Sequence, residues 1–234
     1  MKPDFDQFAT DYRQTHTGNI KKIAGVDSYY FAKQKVVELQ RFEINSERDV
    51  LDLGCGDGAT ALYMSELFPA FSIKGIDVSG ESIVVAQRRA VLNAHFSQYD
   101  GNKIPYSENS FDIVFIAGVL HHVKEEKQFA LLAEIARVLK PGGRLYLFEH
   151  NPYNPFTKYL VNTCVFDKGV KLLSSSKSQG LIRRSGLEIK DKRYTIFFPR
   201  GRFFKWLHKL EPMLSNIPIG GQYYFRAIKK ANQH

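Results

Sequence analysis

The run Val50-Leu-Asp-Leu-Gly-Cys-Gly-Asp-Gly58 places three glycines and two acids directly behind a short apolar stretch. An apolar strand that ends in glycines and opens a helix turns backbone N–H groups toward whatever fills the crevice beyond it. The spacing Gly54-x-Gly56-x-x-Ala59 satisfies the dinucleotide fingerprint, so by itself it leaves NAD and other adenosine cofactors open. The acids discriminate. Asp52 stands just before the glycines and Asp57 within the turn, where a pyrophosphate is repelled by both and an ammonium or sulfonium is attracted. That charge pattern favours S-adenosylmethionine, with Cys55 enclosed in the same loop.

Further along, Gly75-Ile-Asp-Val-Ser79 puts Asp77 and Val78 at the end of a second apolar run. A carboxylate there can accept hydrogen bonds from both hydroxyls of a ribose; the alternative is a helix cap, which Ser79 supplies without it. Asp100-Gly101 follows a third run and is placed to meet an adenine amino group, with Ile104 and Pro105 as apolar neighbours; a plain Asp-Gly turn is the other reading. Three histidines could move a proton near neutrality. His121 and His122 lie in Ala117-Gly-Val-Leu-His-His-Val123, and His150 follows Glu149 in Phe148-Glu-His-Asn-Pro-Tyr-Asn-Pro155. For each of them a packing role competes with a catalytic one. None has carboxylate or cysteine companions at ligand spacing, so no metal is expected.

These residues need a scaffold that brings strand ends together. Apolar runs at 49–53, 71–76, 95–98 and 111–117 alternate with helical spacing at 59–68, 80–93 and 125–139, the pattern of βαβ units around a parallel sheet. Lys140-Pro-Gly-Gly143 is expected to stop the last of these helices, with a fifth strand over residues 144–149. Residues 188–198 and 222–229 alternate apolar and polar side chains and are expected to close the sheet. Residues 174–178, Ser-Ser-Ser-Lys-Ser, are a helix start or a loop. The fold class is α/β, a Rossmann-like three-layer sandwich. One domain is expected: a helical cap over residues 1–45, a cofactor-binding core over 46–150, and substrate-side insertions with closing strands over 151–234.

Taken in order, these motifs resemble those of class I methyltransferases of the ubiquinone/menaquinone-type small-molecule group. The resemblance runs from Val50 to Phe148 and includes Leu-Asp-Leu-Gly-Cys-Gly-Asp-Gly, Gly-Ile-Asp-Val-Ser, Ser-Phe-Asp-Ile-Val-Phe, Leu-His-His-Val and Arg-Val-Leu-Lys-Pro-Gly-Gly-Arg-Leu. It implies a seven-stranded, mostly parallel sheet with an antiparallel last strand. It also implies cofactor roles for Asp52, Gly54, Gly56, Asp77, Asp100 and the backbone near Ala117. About the acceptor it implies little, because a shared fold does not carry a shared substrate.

Composition bounds the rest. The chain has 234 residues, 44% hydrophobic and 24% charged, which suits a packed domain. The start of the chain does not read as a signal peptide, and a cytoplasmic protein is expected from two distant cysteines. The net charge of +9 is concentrated in residues 168–234, which hold 15 Lys and Arg against three acids. An anionic or lipid-linked small-molecule acceptor fits that bias. The segment from Phe197 to Leu210, with Phe203, Phe204, Trp206 and Leu207, reads either as a helix resting on a membrane surface or as an amphipathic helix packed on the sheet or in a homodimer. RNA methylation, a cofactor-binding subunit without catalysis, and a nicotinamide dehydrogenase are weaker alternatives.

Overall fold

In the computed structural model, residues 28–163, 169–198 and 206–231 are described. Seven strands form one sheet: β1 Arg48–Leu53, β2 Phe71–Asp77, β3 Ala94–Gln98, β4 Phe111–Ala117, β5 Leu139–His150, β6 Leu187–Thr195 and β7 Gln222–Lys229. Their order is β3-β2-β1-β4-β5-β7-β6. The first five run parallel, and β7 is antiparallel to both β5 and β6. β1 lies between β2 and β4, so the winding reverses there, and a crevice opens beyond the carboxyl ends of β1 and β4.

The helices are α1 Ser28–Leu39, α2 Ala59–Leu67, α3 Gly80–Arg88, α4 Glu125–Val138, α5 Pro155–Thr163, α6 Ser175–Arg184 and the single turn α7 Glu211–Leu214. Alternation along the strands feeds two cores, one on each face. Val50, Ile113, Phe115, Tyr146, Phe148 and Tyr224 pack with α1, α2 and α3 through Val36, Leu39, Met64 and Ile83. Leu51, Leu53, Val114, Ile116, Leu147, Tyr223 and Phe225 face the other way, onto Leu132 and Ile135 of α4 and Ile182 of α6. A strand buried on both faces is apolar at nearly every position, which is why β1 and β4 read as continuous runs. Glu43, almost fully buried, follows α1 and fixes it to the sheet, accepting from Arg144 Nη2 at 2.8 Å and from Tyr146 Oη at 2.6 Å.

The elements depart from the expected ones at three places. The helix expected over 80–93 ends at Arg88, and Ala90 takes a positive φ of 50° that breaks the helical path. Lys140–Gly143 does not separate helix from strand. The strand starts at Leu139 opposite Phe111, and the four residues bulge out before Arg144 pairs with Ile113. Gly142 supplies the left-handed turn of that bulge, with φ 78°. β6 ends at Thr195 because Ile196 turns to φ 61°, three residues short of the expected end. Ser174 settles the serine patch as a helix start, accepting from Lys177 N–H as the cap of α6.

The Asn-Pro-Tyr-Asn-Pro segment after β5 is a clasp. Asn151 is 1% exposed, donates to the carbonyls of Pro218 and Gly220 at 3.0 and 2.8 Å, and accepts from Tyr153 N–H at 3.1 Å. Asn154 donates to Ile219, and Thr157 to Gly221. Three bonds lost from a buried amide predict that Asn151→Ala lowers stability by about 1–3 kcal/mol, measured by urea unfolding. A cost below about 0.5 kcal/mol would show the clasp to be incidental.

Candidate functional site

The crevice is built from the ends of β1, β2, β3 and β4. Gly54, Gly56 and Gly58 all have positive φ, which lets the chain fold tightly back from β1 into α2. At Gly54 a Cβ would stand 2.3 Å from Val119 Cγ2, so this turn and the one after β4 interlock. At Gly56 a Cβ would meet nothing within 4 Å, and the backbone borders open space.

The loop's own amides do not point into that space as the sequence suggested. Gly54 and Cys55 N–H both donate to the Ile76 carbonyl, Gly56 N–H to Asp77 Oδ2 at 2.9 Å, and Gly58 N–H to the Cys55 carbonyl. Four of the five amides of residues 54–58 are therefore committed within the fold. A pyrophosphate would find few donors here, in contrast to a phosphate-binding loop. Negative charge is what the crevice offers instead. Asp52 is 2% exposed, and its Oδ2 has no hydrogen-bond partner among the described residues. Burial first, then the charges of Asp77 and Asp57, push its carboxyl up to about 7, against an opposing pull from Lys35 on α1. A buried carboxylate oxygen of this kind calls for a cationic donor.

Asp77 uses one carboxylate oxygen for Gly56 N–H and the other for Ser79 N–H, each at 2.9 Å. Ser79 is itself the cap of α3, accepting from Ser82 N–H. The two amide bonds fix the plane of the carboxylate. Asp57 is paired with Arg89, which also bonds Tyr29, so its carboxylate is held in place by the fold. Nothing in the sequence distinguishes Arg89, just after α3, from its neighbour Arg88. Asp100 is exposed, and hydrogen bonds from Asn102 hold its carboxyl below the usual range. Val78, half exposed, lies 3.1 Å from where a Gly101 Cβ would stand, so these two form one apolar edge beside Asp100. Ile104, expected beside them, is wholly buried in the α4-side core. Cys55 is buried, and desolvation pushes its thiol well up, so it is no nucleophile.

The three histidines gather beyond β4 and β5. The His121 ring lies 4.2 Å from that of His122 and 5.5 Å from that of His150, centroid to centroid. Glu149 belongs to His121 and not to its chain neighbour. Both are buried, and Glu149 Oε2 lies 2.6 Å from His121 Nδ1 while Oε1 accepts from Leu120 N–H at 2.8 Å. Burial raises the Glu149 carboxyl, but His121, His150 and the Leu120 amide together hold it below the ordinary value. An ionised Glu149 requires Nδ1–H as donor, which leaves Nε2 as the proton-exchanging edge of His121. Alternation along β5 explains the exchange of partners, since Glu149 and His150 project to opposite faces. His150 is half-buried on the α1 face, the face of Phe148.

Residues 50–143 match a family model described as a methyltransferase domain, and residues 100–188 match one described as the N-terminal part of anamorsin. The chain is 32% identical over 149 residues to the uncharacterised methyltransferase YcgJ of Bacillus subtilis, an alignment covering 62% of this chain and 54% of that protein. It is 28% identical over 176 residues to the ubiquinone/menaquinone biosynthesis C-methyltransferase UbiE of Desulfotalea psychrophila, covering 73% and 71%. Residues 50–143 thus carry a methyltransferase-type domain, and the chain is similar to class I S-adenosylmethionine-dependent methyltransferases. Its fold agrees. A chain from the complex between the Haloferax volcanii Trm112 methyltransferase activator and a methyltransferase superposes with a TM-score of 0.71 at 19% identity, covering 98% of this chain and 99% of that one. The alignments span about half the length of several curated methyltransferase relatives, including 54% of the Bacillus protein and 48% of a Streptomyces one. Among the described residues, no helix of this chain is long and apolar enough to cross a membrane. Of the aromatic segment singled out in the sequence, Phe203 and Phe204 lie outside the described residues. Trp206 is exposed, and residues Leu207–Leu210 form a single 3-10 turn before α7.

Proposed function

We propose that this methyltransferase transfers the methyl group of S-adenosylmethionine to a small-molecule acceptor by O- or C-methylation. The observation that carries the reading is Asp52, a buried carboxylate with an unpartnered oxygen beside a glycine turn whose amides are committed elsewhere. Asp52 would receive the cofactor's ammonium, Asp77 the ribose hydroxyls, and Asp100 the adenine amino group. Val78 and Gly101 would supply an apolar edge for the base, and Gly54, Cys55, Gly56, Asp57 and Ala117 the walls. When bound, the cofactor supplies an activated methyl group on a sulfonium, so the chain has mainly to align the acceptor and exclude water.

An acceptor with a proton of high pKa also needs a base. His150 takes that role in this reading, because alternation puts it on the same face as Asp52, whose neighbours across the sheet are Phe115 and then Tyr146. His121 stands behind it, its ring held by Glu149 in the manner of an oriented imidazole. His122 completes the cluster.

Calorimetric titration with S-adenosylhomocysteine, with NAD as comparison, tests the cofactor assignment. Micromolar binding of the first and none of the second is expected; the reverse would end the proposal. The pH dependence adds a sign. Asp52 is protonated below its raised value, so affinity for the ammonium should rise as pH increases from 6 to 8, by up to about tenfold per pH unit below about 7. Binding at pH 7 should release protons, and Asp52→Asn should flatten both effects.

A further inference from the structure

Between α1, the ends of β5, β6 and β7, and the segment carrying α7 lies a cleft of about 230 Å³. It opens on the α1 face of the sheet, where Phe148, Arg193, Thr195 and Gln222 line it. Two polar atoms in it lack partners among the described residues. Gln222 is 7% exposed and its Oε1 accepts no hydrogen bond; Arg193 Nε is likewise buried without an acceptor, although Nη1 donates to Ser215 Oγ at 3.2 Å. A buried donor and a buried acceptor left unmet are costly, and a ligand that satisfies both removes the cost.

The charges in the cleft set the ligand's sign. Lys35, Arg41 and Arg193 line it together with Glu38 and Glu211. Glu38 accepts from Tyr224 Oη at 3.0 Å and pairs with Arg41 at 2.8 Å, and Glu211 is also engaged. What stays available is a guanidinium edge and an amide oxygen. A guanidinium edge suits a carboxylate or phosphate oxygen, and the amide oxygen suits a hydroxyl or N–H.

The position is equally informative. Gln222 is the register partner of His150 across the β5–β7 ladder, so their Cα atoms are about 4.5–5.5 Å apart. Lys35, on the cleft wall, is also the cation that acts on Asp52. The cleft wall thus carries both Lys35, the cation that acts on Asp52, and Gln222, the cross-strand neighbour of His150. We propose that it is the acceptor subsite, and that the acceptor carries an anionic group held by Arg193 and a hydroxyl or N–H donor held by Gln222 beside His150. This rests on the methyl-transfer reading.

The test uses full-length protein saturated with S-adenosylhomocysteine and three probes followed by saturation-transfer NMR. These are 4-hydroxyphenylacetate, 4-hydroxyphenyl phosphate and the neutral 4-hydroxyphenylacetamide. At least one anion should bind tenfold or more tightly than the amide, and the tighter of the two names the group that Arg193 receives. Arg193→Met should weaken that anion at least tenfold while S-adenosylhomocysteine affinity stays within about twofold. Gln222→Glu leaves the Arg193–Ser215 bond in place and should also weaken it, so the sign of the site is read even if Arg193→Met does not fold. Equal binding of the amide, or anion binding unchanged in Gln222→Glu, overturns the proposal. Absence of S-adenosylhomocysteine binding in the unmodified protein defeats the methyl-transfer reading instead, a separate outcome.

Discussion

Glu149→Ala should lower the melting temperature by roughly 10 °C, because removing one partner of a buried, charge-assisted pair costs about 3–5 kcal/mol and each kcal/mol shifts a domain of this size by about 2–4 °C. The substitution has three effects at once. His121 loses the carboxylate 2.6 Å from Nδ1, the Leu120 amide loses its acceptor, and a cavity forms in a site with no solvent access. Glu149→Gln fills the same volume and can still accept from Leu120 N–H, so its cost should be less than half. The pH dependence carries a sign of its own. The carboxyl is lowered in the folded state, so its contribution is present above about 4.5 and is lost as pH falls through the lowered value. The unmodified protein should therefore lose stability more steeply than Glu149→Gln on acidification below 4.5. Urea unfolding across that range is the measurement. Parallel curves would mean that the pair contributes nothing beyond its hydrogen bonds.

Gly54→Ala should be comparably severe and should also weaken cofactor binding. Its φ of 74° lies in the left-handed region, and its Cβ would meet Val119 Cγ2 at 2.3 Å. Left-handed backbone costs about 1–2 kcal/mol and overpacking about 1–3 kcal/mol, so a total of about 2–5 kcal/mol is expected. The two contributions can be separated. Val119→Ala removes the offending methyl, so the double variant Gly54→Ala/Val119→Ala should recover the overpacking part and keep the backbone part. That is a non-additivity of at least 1 kcal/mol, as for residues in direct contact. Strict additivity would show that the two turns do not interlock. Because Val119 lies between Ala117 and His121, the single variant should also shift the histidine cluster and weaken S-adenosylhomocysteine binding at least tenfold.

Much of this architecture is legible in the sequence. β4 falls on the residues expected, 111–117, and β7 on 222–229, because both are buried on both faces and carry runs of apolar residues; the alternation expected of β7 is not what it shows. Boundaries set by a single backbone dihedral were not legible. Ala90 and Ile196 both turn to positive φ, and neither residue type signals it. The bulge at Lys140–Gly143 carries the residues of a helix stop, and only pairing with β4 makes them part of a strand.

The site divides along the same line. Asp52, Asp77 and the glycines were readable as a group because their spacing along the chain is the spacing of a strand, its turn and the next strand. That local geometry is dictated by sequence, and with it the α/β class and the preference for a cationic cofactor. The partners of those residues belong to the tertiary structure alone. Arg89 pairs with Asp57 from 32 residues away, Glu149 takes His121 from 28 away, and Gln222 comes beside His150 only because β7 enters between β5 and β6. Side chains meet across such distances through sheet order and through which face of a strand they occupy, and neither is written in the spacing of residues along one segment.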